Sequence, residues 1–265
     1  MYSRFQTFIK YLKYYFSSSN GKGHGIHSPF VFEFITNILN DKVKKKEYAI
    51  VASLRRQLQQ DHSVITVDDF GAGSGITKTN QRSIASIAKN AAKSPKYGQL
   101  LYRMVAHYQP GTILELGTSL GITTAYLGLA APQANITTIE GAAAIAEVAK
   151  KNLQSQGLGH INLVKGNFDD VLPQILSKLP TIDFLFIDGN HRREPTERYF
   201  HSLLEKVNNE TIFVFDDIHW SPEMEAAWHT IKSHTSVRCT IDLFFIGIVF
   251  FRKEFHEKQD FCIRF

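Results

Sequence analysis

Five short apolar stretches of the chain end in residues able to do chemistry, and four of those five ends are acidic. They give Glu115 with Gly117, then Glu140, then Gly166-Asn167-Phe168, then Asp188-Gly-Asn-His191, then Asp216-Asp217-Ile-His219-Trp220. Three carboxylates converging at neighbouring strand ends would repel one another unless neutralised. Oxygen ligation of that kind suits a hard divalent cation such as Mg²⁺, which tolerates several waters and substrate oxygens. Asp188, Asp216 and Asp217 are therefore candidate metal ligands. In the competing reading they cap the helices beginning near Glu194 and Ser221, or accept hydrogen bonds from loop amides. His191, three residues after Asp188, reads either as a general base, making these two the candidate catalytic pair, or as a loop histidine packed on Trp220. His219 reads as structural or substrate-contacting.

A second kind of chemistry is written in Thr112-Ile-Leu-Glu-Leu-Gly-Thr-Ser-Leu-Gly-Ile-Thr123. An apolar strand ends in Glu115. A turn bracketed by Gly117 and Gly121, with Thr118 and Ser119 between them, leads at once into a helix. That order brings bare backbone N–H groups and a helix N-terminus up to a ligand at the carboxyl edge of a parallel sheet. About 20 residues further on, Ile136-Thr-Thr-Ile-Glu140 ends in an acid that can accept both hydroxyls of a ribose. Strand, glycine turn, helix, strand, acid is the grammar of a nucleoside-binding half-site. NAD in an oxidoreductase is the alternative ligand, but the spacing is Gly-x-x-x-Gly and no Tyr-x-x-x-Lys set is present. Val64–Val67 with Phe70-Gly-Ala-Gly-Ser-Gly75 imitates the signal, yet Ala91–Lys96 supplies neither strand nor acid. A flexible turn is expected there, with a substrate-side lid as the alternative.

The elements that position these residues are legible as a regular alternation. Strands at 112–116, 135–140, 161–165, 182–187 and 211–216 are separated by helices from 122 and at 142–156, 168–178 and 194–207; a helix at 222–233 and two late strands near 237–243 and 245–252 follow. Such alternation predicts a Rossmann-like, doubly wound α/β fold with a mostly parallel sheet, and the late strands, with no helix between them, are antiparallel neighbours. Helices near 83–93 and 97–108 precede this core. Residues 1–96 are read as a helical lid segment and 97–265 as the ligand-binding domain. In the lid segment a helix begins at Ser28-Pro29 and runs to Asn40, and another covers 48–60. Phe5, Phe8, Ile9, Leu12, Tyr15 and Phe16 form an aromatic helical face, read as facing inward over the site, with a peripheral membrane contact through residues 5–16 as the alternative.

The charged fraction of 21% and hydrophobic fraction of 43% describe an ordinary globular protein. Residues 1–60 carry ten Lys and Arg against three acids, so the rest of the chain is slightly acidic and nucleic acid is not an expected partner. No apolar run reaches the ~18 residues of a membrane span, and no secretory signal is evident. Cys239 and Cys262 show neither metal spacing nor a disulfide framework, so a cytoplasmic location is expected.

Leu114-Glu-Leu-Gly-Thr-Ser-Leu-Gly121, Ile139-Glu140, Gly166-Asn167 and Phe186-Ile-Asp188 together resemble a class I S-adenosylmethionine-dependent methyltransferase. Within that class the pattern is similar to the cation-dependent O-methyltransferases of the catechol and caffeoyl-CoA type, over roughly residues 97–252. The resemblance implies a seven-stranded sheet whose last strand inserts antiparallel. It implies that Glu115, Gly117 and Ser119 surround the methionine part of the cofactor, that Glu140 holds the ribose, and that Asn167 and Phe168 lie beside the adenine, with Thr118, Gly121, Gly166 and Asp188 as further cofactor-binding residues. Asp188 and Asp216 become metal ligands by the same carry-over. The catechol type has Asn where Asp217 stands and a lysine base where His191 stands. O-methylation of a small-molecule or sugar hydroxyl follows, with a homodimer left open. A non-catalytic membrane-peripheral protein on the same fold is the reading from another class.

Overall fold

The computed structural model describes residues 1–67, 80–90 and 93–265; the glycine loop at 71–75 lies outside them. In chain order the elements are α1 (Arg4–Ser17), α2 (Pro29–Phe34, continued by a π-helical turn to Leu39), α3 (Lys46–Gln60), β1 (Val64–Thr66), β2 (Gln81–Ser83), α4 (Ile84–Asn90) and α5 (Pro95–Tyr108). Next come β3 (Thr112–Leu116), α6 (Ile122–Ala130), β4 (Asn135–Glu140), α7 (Ala143–Ser155), β5 (Asn162–Lys165) and α8 (Phe168–Lys178). The chain closes with β6 (Phe184–Ile187), α9 (Arg193–Leu203), β7 (Ile212–Asp216), α10 (Pro222–Ser233), β8 (Cys239–Asp242), β9 (Ile246–Phe250) and β10 (Gln259–Cys262). They fall into two compact units, Lys42–Lys178 and Met1–Asp41 with Leu179–Phe265.

In the unit Lys42–Lys178, β4 runs parallel between β3 and β5, with Leu116 opposite Ile139 and Glu140 opposite Lys165. Ile113, Leu114 and Leu116 are fully buried, as expected of a parallel strand covered on both faces. The run Val64–Val67 leads not into a nucleotide-type unit but into a small antiparallel pair, with Val64 opposite Ser83.

In the other unit the strand order is β10-β8-β9-β7-β6. β6 and β7 are parallel, and β9 runs antiparallel to both β7 and β8, so the two late strands sit as the alternation demanded. Phe184, Phe186, Phe213 and Phe215 fill the core from β6 and β7. The fold is Rossmann-like α/β with mostly parallel strands. The seven expected strands are all present, and β10 is an addition to them. It pairs parallel to β8, Gln259 opposite Cys239, and so covers backbone groups that β8 would otherwise present at an edge.

Gly247 of β9 is required by close approach. A Cβ there would lie 2.7–3.0 Å from the ring of Trp228, itself almost wholly buried on α10. Gly247→Ala is expected to destabilise the protein by about 1–3 kcal/mol through overpacking, measurable as a shifted denaturant midpoint at unchanged slope.

The aromatic face of α1 points outward, not into the core as expected from its periodicity. Phe5, Phe8, Ile9, Tyr15 and Phe16 are exposed, and the opposite face is the docked one. There the Tyr14 hydroxyl donates to the Ile263 carbonyl, Tyr11 packs on Phe244 at 5.2 Å, and Lys10 Nζ meets Glu225 at 2.9 Å. Tyr14 and Lys10 find polar partners on that side, which the phenylalanines of the other face have no polar atoms to use. Among the described residues no helix is long and apolar enough to cross a membrane.

Candidate active site

The glycine turn after β3 is held by left-handed backbone at Gly117 (φ 108°), Ser119 (φ 49°) and Gly121 (φ 80°). Its amides are less bare than the sequence suggested. Gly117 and Thr118 donate to the Ile139 carbonyl at 3.0 and 3.1 Å, Ser119 to Glu140 Oε2 at 2.8 Å, and Gly121 to the Thr118 carbonyl at 2.9 Å. The turn is thus fastened to the end of β4, and the first turn of α6, from Ile122, is the anion-favouring helix end next to it.

Glu140 also accepts from the Ala142 amide at 3.0 Å. Burial pushes its carboxyl above the usual range, against the opposing pull of the amides of Ala142, Ser119 and Gly141. A carboxylate offers about four lone-pair sites, so two amide bonds leave room for a vicinal pair of hydroxyls. Gly166 (φ 146°) donates to the Glu140 carbonyl at 3.0 Å. Asn167 follows and caps α8, its carbonyl accepting from Asp170 and Val171 and its side chain from Asp169. Phe168 opens that helix.

Glu115 is wholly buried, and its surroundings were not read from the sequence. Its Oε2 accepts from Thr124 Oγ1 at 2.5 Å and Thr138 Oγ1 at 2.7 Å, and Thr138 in turn meets Thr118 Oγ1 at 2.6 Å. Oε1 has no hydrogen-bond partner among the described residues. Burial pushes the carboxyl up to about 7, with Glu140 nearby adding to the rise and the two threonine bonds opposing it.

The carboxylate cluster belongs to the other unit. The β6–β7 register that pairs Ile187 with Phe215 sets Asp188 beside Asp216. Asn190 and His191, at φ 66° and 26°, fold the chain back on itself. His191 Nε2 consequently lies 3.6 Å from Asp188 Oδ1, and its ring lies 5.6 Å from that of Trp220. One ligand atom each from Asp188, His191 and Asp216 lie within 4.8 Å of one another, with Asp216 only 1% exposed. Asp217 is not in this group. Neighbouring strand residues point to opposite faces, and at φ 53° Asp217 turns the chain, its amide donating to the Phe245 carbonyl at 2.7 Å.

Two hard oxygen donors and one imidazole suit a divalent ion of the Mg²⁺, Mn²⁺ or Zn²⁺ kind better than a soft one. His219, by contrast, is held on both sides, Nδ1 3.0 Å from Glu225 and Nε2 2.8 Å from Asp242. Burial acts against its charged form, yet these two acids hold its pKa above the usual value. It is a structural bridge.

Residues 114–218 match a family described as a methyltransferase domain. A catechol O-methyltransferase of Niastella koreensis is 31% identical over 161 residues, which span 60% of this chain and 72% of that protein. One from Mycobacterium tuberculosis is 27% identical over 158 residues, spanning 59% and 68%. Among solved structures, the O-methyltransferase TomG of Streptomyces achromogenes in complex with S-adenosylmethionine superimposes with a TM-score of 0.57 at 18% identity, covering 79% of this chain and 91% of that one. An O-methyltransferase of Bacillus cereus in complex with S-adenosylhomocysteine gives 0.56 at 18% identity, covering 83% and 97%. At such identity the structural likeness shows a shared fold.

Proposed function

The chain belongs to the class I S-adenosylmethionine-dependent O-methyltransferases, as a relative of the catechol type, and from that premise we propose that it methylates a hydroxyl of a small-molecule acceptor (a phenol, a vicinal diol or a sugar) in the cytoplasm, with a divalent cation held by Asp188, His191 and Asp216. The observation that carries the cation is the meeting of those three ligand atoms within 4.8 Å. Neither the oxidoreductase nor the non-catalytic reading finds support among the relatives.

Bound to these residues, S-adenosylmethionine would supply an electrophilic methyl group and the cation would lower the pKa of the acceptor hydroxyl. The protein's own part is positioning. Glu140, fixed by the Ser119 and Ala142 amides, offers its remaining lone pairs to the ribose. Gly117, Thr118, Ser119 and Gly121 shape the turn beside the methionine part, with Gly166, Asn167 and Phe168 on the adenine side. Asp188 and Asp216 give oxygen donors and His191 a nitrogen.

In a second reading His191 accepts the acceptor's proton instead of ligating the cation: its Nε2, 3.6 Å from Asp188 Oδ1, is too far to be held by a hydrogen bond to that carboxylate. Chelator treatment should remove turnover and Mg²⁺ should restore it; full turnover in the chelator overturns the cation. His191→Gln assigns the histidine: weaker calorimetric Mg²⁺ binding marks a ligand, whereas intact binding with lost turnover marks the base.

A further inference from the structure

We infer that α1 is an in-plane membrane anchor, its outward aromatic face lying on an anionic lipid surface. Around the helix, Phe5, Phe8, Ile9, Tyr15 and Phe16 occupy one continuous exposed arc, with Phe5 73% and Phe16 77% exposed. Phe245, also exposed, stacks on Tyr11 beside the docked face. Large exposed apolar patches are uncommon on a soluble surface and mark contact sites. Arg4 flanks one edge of the arc and Lys13 the other, and both are exposed. Arg264 stands over the Tyr15 ring at 4.2 Å, adding a third cation at the rim. An apolar strip flanked by cations is the composition of an interfacial helix, which buries its apolar face at the headgroup boundary while its cations meet anionic lipid.

The helix is presented rigidly. Its other face is tied down by Tyr14 to Ile263, by Lys10 and Tyr2 to Glu225, and by the Tyr2 amide to the Trp220 carbonyl at 3.0 Å. Membrane contact therefore orders nothing new. At 14 residues α1 is about 21 Å long, too short to span a bilayer, so it lies on the surface. A second copy of the chain fits the face less well. The helix carries no acid, so self-pairing would bring Arg4 and Lys13 of two copies together without a counter-charge on either helix.

The test needs no acceptor and is independent of the catalytic reading. Full-length protein is sedimented with vesicles of phosphatidylcholine alone, and with phosphatidylcholine and phosphatidylglycerol in equal parts. The wild type should pellet with the mixed vesicles, less so as salt is added, and Arg4→Gln and Lys13→Gln should each lower affinity about fivefold. Phe5→Ser/Phe8→Ser/Phe16→Ser should lower it about tenfold or more, because the inserted apolar area is gone. These side chains project from the body, so the triple variant should keep its unfolding midpoint. Wild-type protein left in the supernatant with both vesicle types overturns the inference, as does pelleting indifferent to both sets of substitutions. A solution dimer that the triple variant dissolves, without vesicle binding, assigns the face to a second copy instead.

Discussion

Asp216→Asn will abolish divalent-dependent turnover while leaving affinity for S-adenosylmethionine within about twofold of wild type. Lewis-acid assistance supplies several kcal/mol of transition-state stabilisation, so the loss in kcat should be about a thousandfold. The cofactor-side groups Glu140, Ser119 and Asn167 belong to the other compact unit, where the Ser119 and Ala142 amides hold Glu140 and the Asp169 amide holds Asn167. A ligand that binds only the folded chain stabilises it by about 2.7 kcal/mol at a hundred times its Kd. Saturating Mg²⁺ should therefore raise the wild-type Tm by several degrees and leave that of Asp216→Asn unmoved. The metal-free Tm of the variant serves as the control for folding, since amide and carboxylate have the same shape. A variant that keeps both its Mg²⁺-dependent Tm shift and its turnover removes Asp216 from the site.

Asp216 and Asp188 were legible in the sequence because each follows an apolar strand, and parallel strands of matched register place their ends side by side. Asp217 was read from the same signal, but it follows the strand end at a left-handed turn and is not among the three residues whose ligand atoms meet within 4.8 Å. His191 was found by proximity to Asp188, but what brings its ring back is the pair of positive-φ residues at 190 and 191, both non-glycine. No propensity announces those.

The glycine turn was recognised by spacing, whereas the use of its amides depended on where Ile139 falls opposite Leu116, a cross-strand fact invisible along one strand. The period of α1 showed a stripe without saying which side docks. Its second face, Lys10, Tyr11 and Tyr14, gains three kinds of partner that lie more than 200 residues away in the chain. β10, four residues long after a polar stretch, is too short for any periodicity to show.

Glu115→Gln should flatten the pH dependence of stability between about pH 4.5 and 7. The folded-state pKa of Glu115 is raised from 4.5 to about 7, chiefly by burial. In that interval the unfolded chain has released the proton and the folded chain retains it, so the folded state binds more protons and stability falls as pH rises. It is highest below about 4.5, declines through the window and levels off above about 7. At 1.36 kcal/mol per pH unit this one group accounts for about 3 kcal/mol. Glu140, raised by burial, and His219, raised by Asp242 and Glu225 against the effect of burial, slope the same way. The difference curve, wild type minus variant, isolates Glu115 from both. Glutamine keeps an oxygen for Thr124 and Thr138 but places an amide N–H₂ where Oε1 lacked a partner. That costs about 1–3 kcal/mol at every pH, so the slope and not the absolute stability carries the prediction. Denaturant unfolding across the interval measures it, and parallel curves for the two proteins would refute the buried, proton-holding state of Glu115. Repeating the series with saturating S-adenosylmethionine asks one thing more. A cationic group brought to Oε1 would favour the carboxylate and move the wild-type midpoint down, which an unreached Glu115 would not do.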